Sequence, residues 1–198
     1  DTTMAWYDCT YTVTFSDSGE YYIRGEAIDF SGNLGTTNIF ETWFFNPELA
    51  LFISDFSISF DELVPGTRAY SDSLTIGNDA LDGSGVLLNM SISGTDFSST
   101  DTSGVLCPTS NVLSLTNFAY YASAGNSNSC SNAGVDGACY DSIPYENGVP
   151  SNRATILETP SNILSPGSEV TLTFRLDLPQ PCTGDFDLGE ISFWAEAV

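Results

Sequence analysis

The chain has 198 residues, with four arginines, no lysine, no histidine and 26 acidic residues, for a formal net charge of −22 at pH 7. Nucleic acid is excluded as a partner, because its phosphates require Lys and Arg. Without His and Lys, the Ser-His-Asp, Cys-His and Schiff-base mechanisms are also excluded. A carboxylate pair of the glycosidase kind remains the enzymatic alternative, but we expect no enzyme. The acidic surface is explained by solvation, or by high salt or divalent cations.

The first predicted strand, residues 7–15, alternates without interruption between an apolar and a polar face. The apolar face consists of Tyr7, Cys9, Tyr11, Val13 and Phe15. Period 2 over nine residues predicts a strand with one buried face. Because an apolar end strand must enter a sheet or remain an adhesive edge, we expect it to pair within its own chain or with a neighbouring subunit.

Two further strands are predicted at 20–29 and 36–45, around a Gly/Asn turn at 30–35. The run Y-Y-I-R-G-E-A-I-D-F-S-G-N (residues 21–33) resembles the last hairpin of prokaryotic, archaeal-type Ig-like and PKD-like surface domains. The resemblance implies a sandwich of about seven strands, and only three fit before Pro47. Residues 1–46 are therefore predicted to be a partial Ig-like module, completed by the rest of the chain or by a neighbouring subunit.

Residues 47–198 are predicted to form a β-sandwich domain. Strands are indicated at 49–60, 70–76, 86–92, 112–121, 154–158, 169–178 and 191–198, separated by turn-rich segments and without a helical pattern. The fold class is therefore all-β, Ig-like. The run P-G-T-R-A-Y-S-D-S-L-T-I-G-N-D (residues 65–79) is similar to a β-sandwich opening found in archaeal surface proteins and in TasA-type fibre subunits.

The five cysteines indicate an oxidising, extracellular setting. We predict one disulfide between Cys130 and Cys139 within a polar loop, and another between Cys107 and Cys182, each of which borders a proline and a strand. Cys9 is left over on the apolar face of the first strand. It is either a small buried thiol or the half of an intermolecular disulfide.

Three acidic loop clusters contain the oxygen ligands that calcium prefers. They consist of Asp29 with Asn33; of Asn78, Asp79 and Asp82; and of Asp185, Asp187 and Glu190. Asp and Asn also favour turns by themselves, so ordinary turn chemistry is the favoured explanation of any single cluster and calcium binding the alternative. No cofactor is required, and Ca²⁺ is the candidate ion. Asn89 begins an N-glycosylation sequon on the outer face of a predicted strand.

These features predict a structural subunit of an extracellular filament or surface layer. In this hypothesis residues 7–15 complete a sheet in the next subunit, so that the partner is a second copy of the chain. The alternative is a cell-surface adhesin or carbohydrate-binding module that recognises cell-surface glycans through Tyr120, Tyr121, Tyr140 and Tyr145. No apolar run reaches the roughly 18 residues of a membrane helix, so no membrane insertion is expected.

Overall fold

The computed structural model of the chain describes residues 8, 10, 12, 19–36, 41–45, 49–60, 63–100, 103–108, 111–129, 139–146, 153–158 and 161–198. Within these ranges the regular structure is strand, apart from one short 3-10 helix. The predicted all-β class is confirmed. Two antiparallel sheets share one hydrophobic core, as in a sandwich.

The first four strands form two antiparallel pairs, which together we call the ribbon (residues 19–36 and 41–45). They are β1 (Gly19–Ile23), β2 (Glu26–Ile28), β3 (Leu34–Thr36) and β4 (Glu41–Phe45). β1 pairs with β4, and β2 pairs with β3. Among the described residues, these strands pair with no later strand, so the expected completion of the first module by the rest of the chain is not seen there.

The turn at the tip of the ribbon is held by the carboxylate of Asp29. Its Oδ1 accepts hydrogen bonds from the backbone N–H groups of Ser31 and Asn33, both at 2.8 Å, and its Oδ2 accepts one from Asn33 Nδ2 at 2.7 Å. Gly32 adopts a φ of 83°, which only glycine adopts readily. The predicted Gly/Asn hairpin turn is thus formed.

The remaining strands follow from residue 51. They are β5 (Leu51–Ile53), β6 (Arg68–Tyr70), β7 (Leu74–Asn78), β8 (Leu88–Gly94), β9 (Phe97–Ser98), β10 (Val112–Leu113), β11 (Phe118–Ala124), β12 (Ser127–Asn128), β13 (Asp141–Ser142), β14 (Ala154–Thr155), β15 (Ile163–Leu164), β16 (Glu169–Asp177) and β17 (Ile191–Ala197). The 3-10 helix, Leu115–Asn117, lies between β10 and β11.

The large sheet has β16 at its centre. β11 pairs along one side of β16, and β6 and β7 pair along the other. β12 and β13 extend the sheet beyond β11, and β5 extends it beyond β7. β16 alternates as predicted: Val170, Leu172, Phe174 and Leu176 are buried and face the core.

The small sheet has β8 at its centre. β17 pairs with β8 from Ile191↔Gly94 to Ala197↔Leu88, while β14 and β15 pair with the opposite side of β8. Leu88, Met90 and Ile92 point into the core and have no exposed surface. The inward side chains of the two sheets thus meet in one hydrophobic cluster.

The predicted strand 20–29 is divided into β1 and β2 by Arg24 and Gly25. In the sandwich, three further strands predicted as continuous are interrupted, each at a serine. Between β6 and β7, Ser71 Oγ accepts a hydrogen bond from Phe174 N at 2.9 Å, so the side chain replaces a backbone partner. Ser114 caps the 3-10 helix by accepting a bond from Thr116 N. Beyond β5, Ser54 Oγ accepts one from Thr75 N at 2.9 Å. Short polar side chains compete with the backbone ladder, and hydrophobic periodicity does not register this competition.

Candidate functional site

Within the described ranges the sandwich is open along one edge, which we call the open edge. On the small sheet this edge is β17, which among the described residues pairs only with β8. On the large sheet it is β5 with the segment 55–60 that follows. Ile191, Phe193 and Ala195 of β17 pack against the core but are only half buried, and none of the other described strands pairs with that side of β17.

A groove of about 570 Å³ enters the core at the open edge. Its lining is mainly apolar and includes Phe56, Ile58, Phe60, Leu63, Phe97, Leu113, Phe118, Leu176, Phe186 and Ile191. Phe118 forms the floor: its ring lies 6.1 Å from that of Phe60 and 4.7 Å from that of Phe97. Phe56 stands at the mouth and is 93% exposed. The groove is therefore shaped to receive apolar side chains rather than a polar ligand.

Acidic residues line one wall of the groove. Asp185, Asp187 and Glu190 border it on the segment that leads into β17. Asp187 Oδ1 accepts a hydrogen bond from Thr100 N at 2.8 Å, and Oδ2 accepts one from the Thr100 hydroxyl. These bonds stabilise the ionised carboxylate and lower the pKa of Asp187. Because Ser98 and Leu188 also exchange backbone hydrogen bonds, this wall is fixed to the 97–100 segment.

The same wall depends on one glycine. Gly189 has a φ of 139°, and a Cβ added there would lie 2.7 Å from the backbone oxygen of Asp96 and 2.7 Å from the Phe97 ring. A larger residue would push the wall away from the groove floor. Neither this glycine nor Phe186 was identified as a site residue from the sequence, because loop segments carry no hydrophobic period.

The opposite edge of the sandwich is bridged. Tyr120, on β11 of the large sheet, is buried and donates a hydrogen bond from its hydroxyl to Thr155 O at 2.9 Å, on β14 of the small sheet. Burial raises the pKa of the Tyr120 hydroxyl, so it remains a neutral donor. A second cavity of about 510 Å³ at this edge is lined by polar and acidic groups, including Tyr140, Asp141 and Glu158. The two edges therefore differ in chemical character.

The predicted donor residues Tyr7, Cys9, Tyr11, Val13 and Phe15 lie outside the described residues, and so does the question of the Cys9 thiol. Asp8, Thr10 and Thr12, from the polar face of the same segment, are described. All three are exposed and belong to no strand. At these three positions the segment is therefore not paired with the sandwich.

One predicted disulfide is confirmed, between Cys107 and Cys182. Both residues are buried, and backbone hydrogen bonds between Leu106 and Thr183 flank the bridge. Cys139 is also disulfide-bonded, while Cys130, its predicted partner, lies outside the described residues. The confirmed bridge anchors the start of the segment that forms the acidic wall of the groove.

The acidic clusters form hydrogen bonds of their own. Asp29 and Asn33 bind one another across the ribbon turn, as described above, and those bonds lower the pKa of Asp29. Asn78 is buried, and its Nδ2 donates to Val86 O at 2.8 Å and to Leu164 O at 2.9 Å. Asp79, Asp82, Asp185 and Glu190 are exposed. No group of three or more acidic, His or Cys side chains within the described ranges is arranged to hold a metal ion.

The sequon residue Asn89 lies on the outer face of β8, as expected from the alternation of that strand. Its side chain is half buried, and its Oδ1 accepts a hydrogen bond from Asn162 Nδ2 at 2.7 Å. A glycan at Asn89 therefore remains a prediction, and the side-chain amide that would carry it also accepts the hydrogen bond from Asn162.

The candidate aromatic residues are divided between two faces and a loop. Tyr120 points inward, and Tyr145 donates its hydroxyl to Asp96 Oδ1 at 2.6 Å. Tyr121 and Tyr140 instead lie on the outer face of the large sheet, with ring centroids 6.2 Å apart. Tyr70, which sequence reasoning missed, joins them: its ring lies 5.7 Å from that of Tyr140. The Arg175 guanidinium lies 5.2 Å from the centre of the Tyr140 ring.

Comparisons of the chain with protein families, curated proteins and solved structures returned no match. In the part of the chain that the structure describes, no helix is of sufficient length and apolar character to cross a membrane. The interpretation of the groove therefore depends on its own geometry.

Proposed function

We propose that the chain is a structural subunit of an extracellular filament or surface layer. It polymerises when residues 7–15 of one copy enter the groove of the next copy and pair with β17. The observation that supports this proposal is the open edge, where a groove lined by phenylalanines lies beside β17, a strand that pairs on one side only among the described strands. The Cys107–Cys182 disulfide supports an oxidising location.

The dimensions of donor and acceptor agree. Nine residues of extended chain span about 30 Å, and the seven residues of β17 span about 23 Å, so the donor can run along all of β17. Main-chain hydrogen bonds to β17 would supply affinity, and alternate side chains would enter the groove. Burial of Tyr7, Tyr11, Val13 and Phe15 contributes on the order of 6–12 kcal/mol before entropic costs.

The direction of donation explains why the product is a polymer. The donor and the groove are different surfaces of the chain, so each contact between copies is head-to-tail. Such contacts generate open filaments when the rotation does not close a ring. The polar face of the donor, represented by the exposed Asp8, Thr10 and Thr12, would face solvent in the polymer.

Electron microscopy of the purified chain beside a variant lacking residues 1–16 tests the proposal. We expect filaments from the full chain and monomers from the truncated one. The matched controls replace inward Tyr11 and Val13 by serine, or outward Thr10 and Thr12 by serine; only the first pair should abolish filaments. Monomers from the full chain would refute the proposal.

A crosslinking experiment separates donation to a neighbour from folding back on the same chain. One chain keeps native Cys9, and the other carries Cys9→Ser with Ile191→Cys in the groove. We expect oxidation of the mixture to join the two chains. The control places the new cysteine at Thr171, on the exposed face of β16, where no product should form. If the crosslink forms only within a single chain that carries both Cys9 and Ile191→Cys, residues 7–15 pair with their own chain and not with a neighbour.

The tyrosine cluster supports a second candidate, a carbohydrate-binding module. Tyr70 is 46% exposed and lies beside Tyr140 and Arg175 on the outer face of the large sheet, and aromatic rings with a nearby donor suit sugar recognition. Binding of the chain to surface polysaccharides, lost in Tyr70→Ala and retained in Tyr22→Ala on the ribbon, would favour this candidate. Equal binding by both variants would remove it.

A further inference from the structure

The ribbon has an apolar surface that the rest of the described chain does not cover. Trp43 is 47% exposed, and Tyr21 and Phe45 are partly buried. Elsewhere on the ribbon, Tyr22 is 64% exposed and Ile28 is 72% exposed. Exposed apolar area of this kind marks an interaction site in proteins. A two-stranded ribbon is also only marginally stable by itself in water, so it gains from docking on another surface.

The aromatic side chains are concentrated at the base of the ribbon. Tyr21 lies directly opposite Trp43 in the β1–β4 ladder. The Phe45 ring lies 5.2 Å from that of Tyr21 and 6.3 Å from that of Trp43. These three rings form one aromatic patch near Gly19, the residue at which the chain arrives from the N-terminal segment.

Chain length fixes where this patch lies once residues 7–15 are bound to a neighbour. Only three residues, 16–18, separate the donor segment from Gly19. Four consecutive Cα–Cα steps span at most about 14 Å when fully extended. The base of the ribbon must therefore lie beside one end of the groove of the neighbouring copy.

The groove presents apolar surface at its rim. Phe56 and Leu63 both line the groove, and they are 93% and 48% exposed. We infer that the Tyr21–Trp43–Phe45 patch docks on the Phe56–Leu63 rim of the same copy that receives residues 7–15. This inference rests on the proposed function, and it makes the ribbon a second part of the subunit interface.

Fluorescence of Trp43 tests the inference. The variant Trp6→Phe/Trp194→Phe leaves Trp43 as the single tryptophan. On assembly we expect its emission to move to shorter wavelength and its quenching by acrylamide to fall several-fold. Phe56→Ser should reverse most of this change. Phe30→Ser should not, because Phe30, although also exposed, lies at the ribbon tip, away from the patch.

The outcomes distinguish the two proposals. Filaments in which Trp43 is as accessible as in the monomer lacking residues 1–16 would overturn the docking inference alone. An absence of filaments would overturn the proposed function and the inference with it. If Trp194→Phe does not fold, hydrogen exchange of the unaltered chain gives the same decision: the amides of β1 and β4 must become protected on assembly.

Discussion

β8 and β17 are hydrogen-bonded neighbours with the same alternation of inward and outward residues, but their inward side chains differ in burial. They pair over their full length in the small sheet. The inward side chains of β8, Leu88, Met90 and Ile92, have no exposed surface. Those of β17 are half buried. The difference follows from their edges: β8 is flanked on both sides, and β17, among the described residues, on one.

The comparison teaches that alternation determines which face of a strand points inward, not whether that face is covered. Coverage depends on the strands at either side and on the opposing sheet. β17 reads in sequence as an ordinary core strand, but in the fold its inward side chains are only half buried and its first residue, Ile191, lines the groove.

The largest effect is expected from a matched pair of isoleucines on the two strands. Ile92→Ala in β8 should lower the free energy of unfolding by about 2–5 kcal/mol, because it leaves a cavity in a closed core. Ile191→Ala in β17 should cost about 1 kcal/mol in the monomer, since its side chain is half exposed. Urea unfolding of both variants without residues 1–16 measures the gap. Equal losses would contradict the open edge.

The disulfide should matter next, because it holds the segment that leads into β17. Cys107 and Cys182 are 75 residues apart, and replacing both by serine should cost about 2–4 kcal/mol. Thermal unfolding with and without reductant provides the measurement. Reductant should remove the contribution of this bridge from the parent but not from the serine variant, which lacks it. A serine variant as stable as the oxidised parent would show that the bridge adds nothing.

Asn162 stabilises the side of β8 that does not pair with β17. Its loss should weaken that side, so that β8 becomes more like β17, which is paired on one side. Its Nδ2 donates to Met90 O at 2.5 Å, and its Oδ1 accepts from Leu157 N at 2.9 Å. Asn162→Ala leaves these buried groups with fewer partners and should cost about 1–3 kcal/mol. Faster amide exchange in β8 is the specific readout. Ser91→Ala, on the outer face of the same strand and half buried, is the control and should cost less than half as much.

The smallest effect concerns pH and the groove wall. Hydrogen bonds from Thr100 lower the pKa of Asp187 from its ordinary 3.8, so the folded state favours the ionised carboxylate. The stability it adds is present above the ordinary pKa and is lost as pH falls through the lowered pKa. Thermal unfolding of the parent and of Asp187→Asn, from about pH 6 to about pH 2, should converge in acid. A constant difference would exclude the carboxylate as its cause.

The sequence allowed much of the sandwich to be predicted. The alternation in 86–92 and 169–178 identified the inward residues of β8 and β16, which are buried as expected. The Cys107–Cys182 pairing was also predictable, since each cysteine borders a strand end. The breaks at Ser54, Ser71 and Ser114 were not, because each depends on a partner distant in sequence or on a local cap.

From the sequence alone followed the all-β class and the inward faces of β8 and β16, since these depend on composition and period 2. Three features became visible only in the tertiary structure. β17 has one neighbour among the described strands. The phenylalanines of 56–60, 97, 118 and 186 meet in one groove, and Tyr120 bridges the other edge. The reason is physical: a strand's periodicity is local, whereas the neighbour that covers it comes from elsewhere in the chain or from another copy.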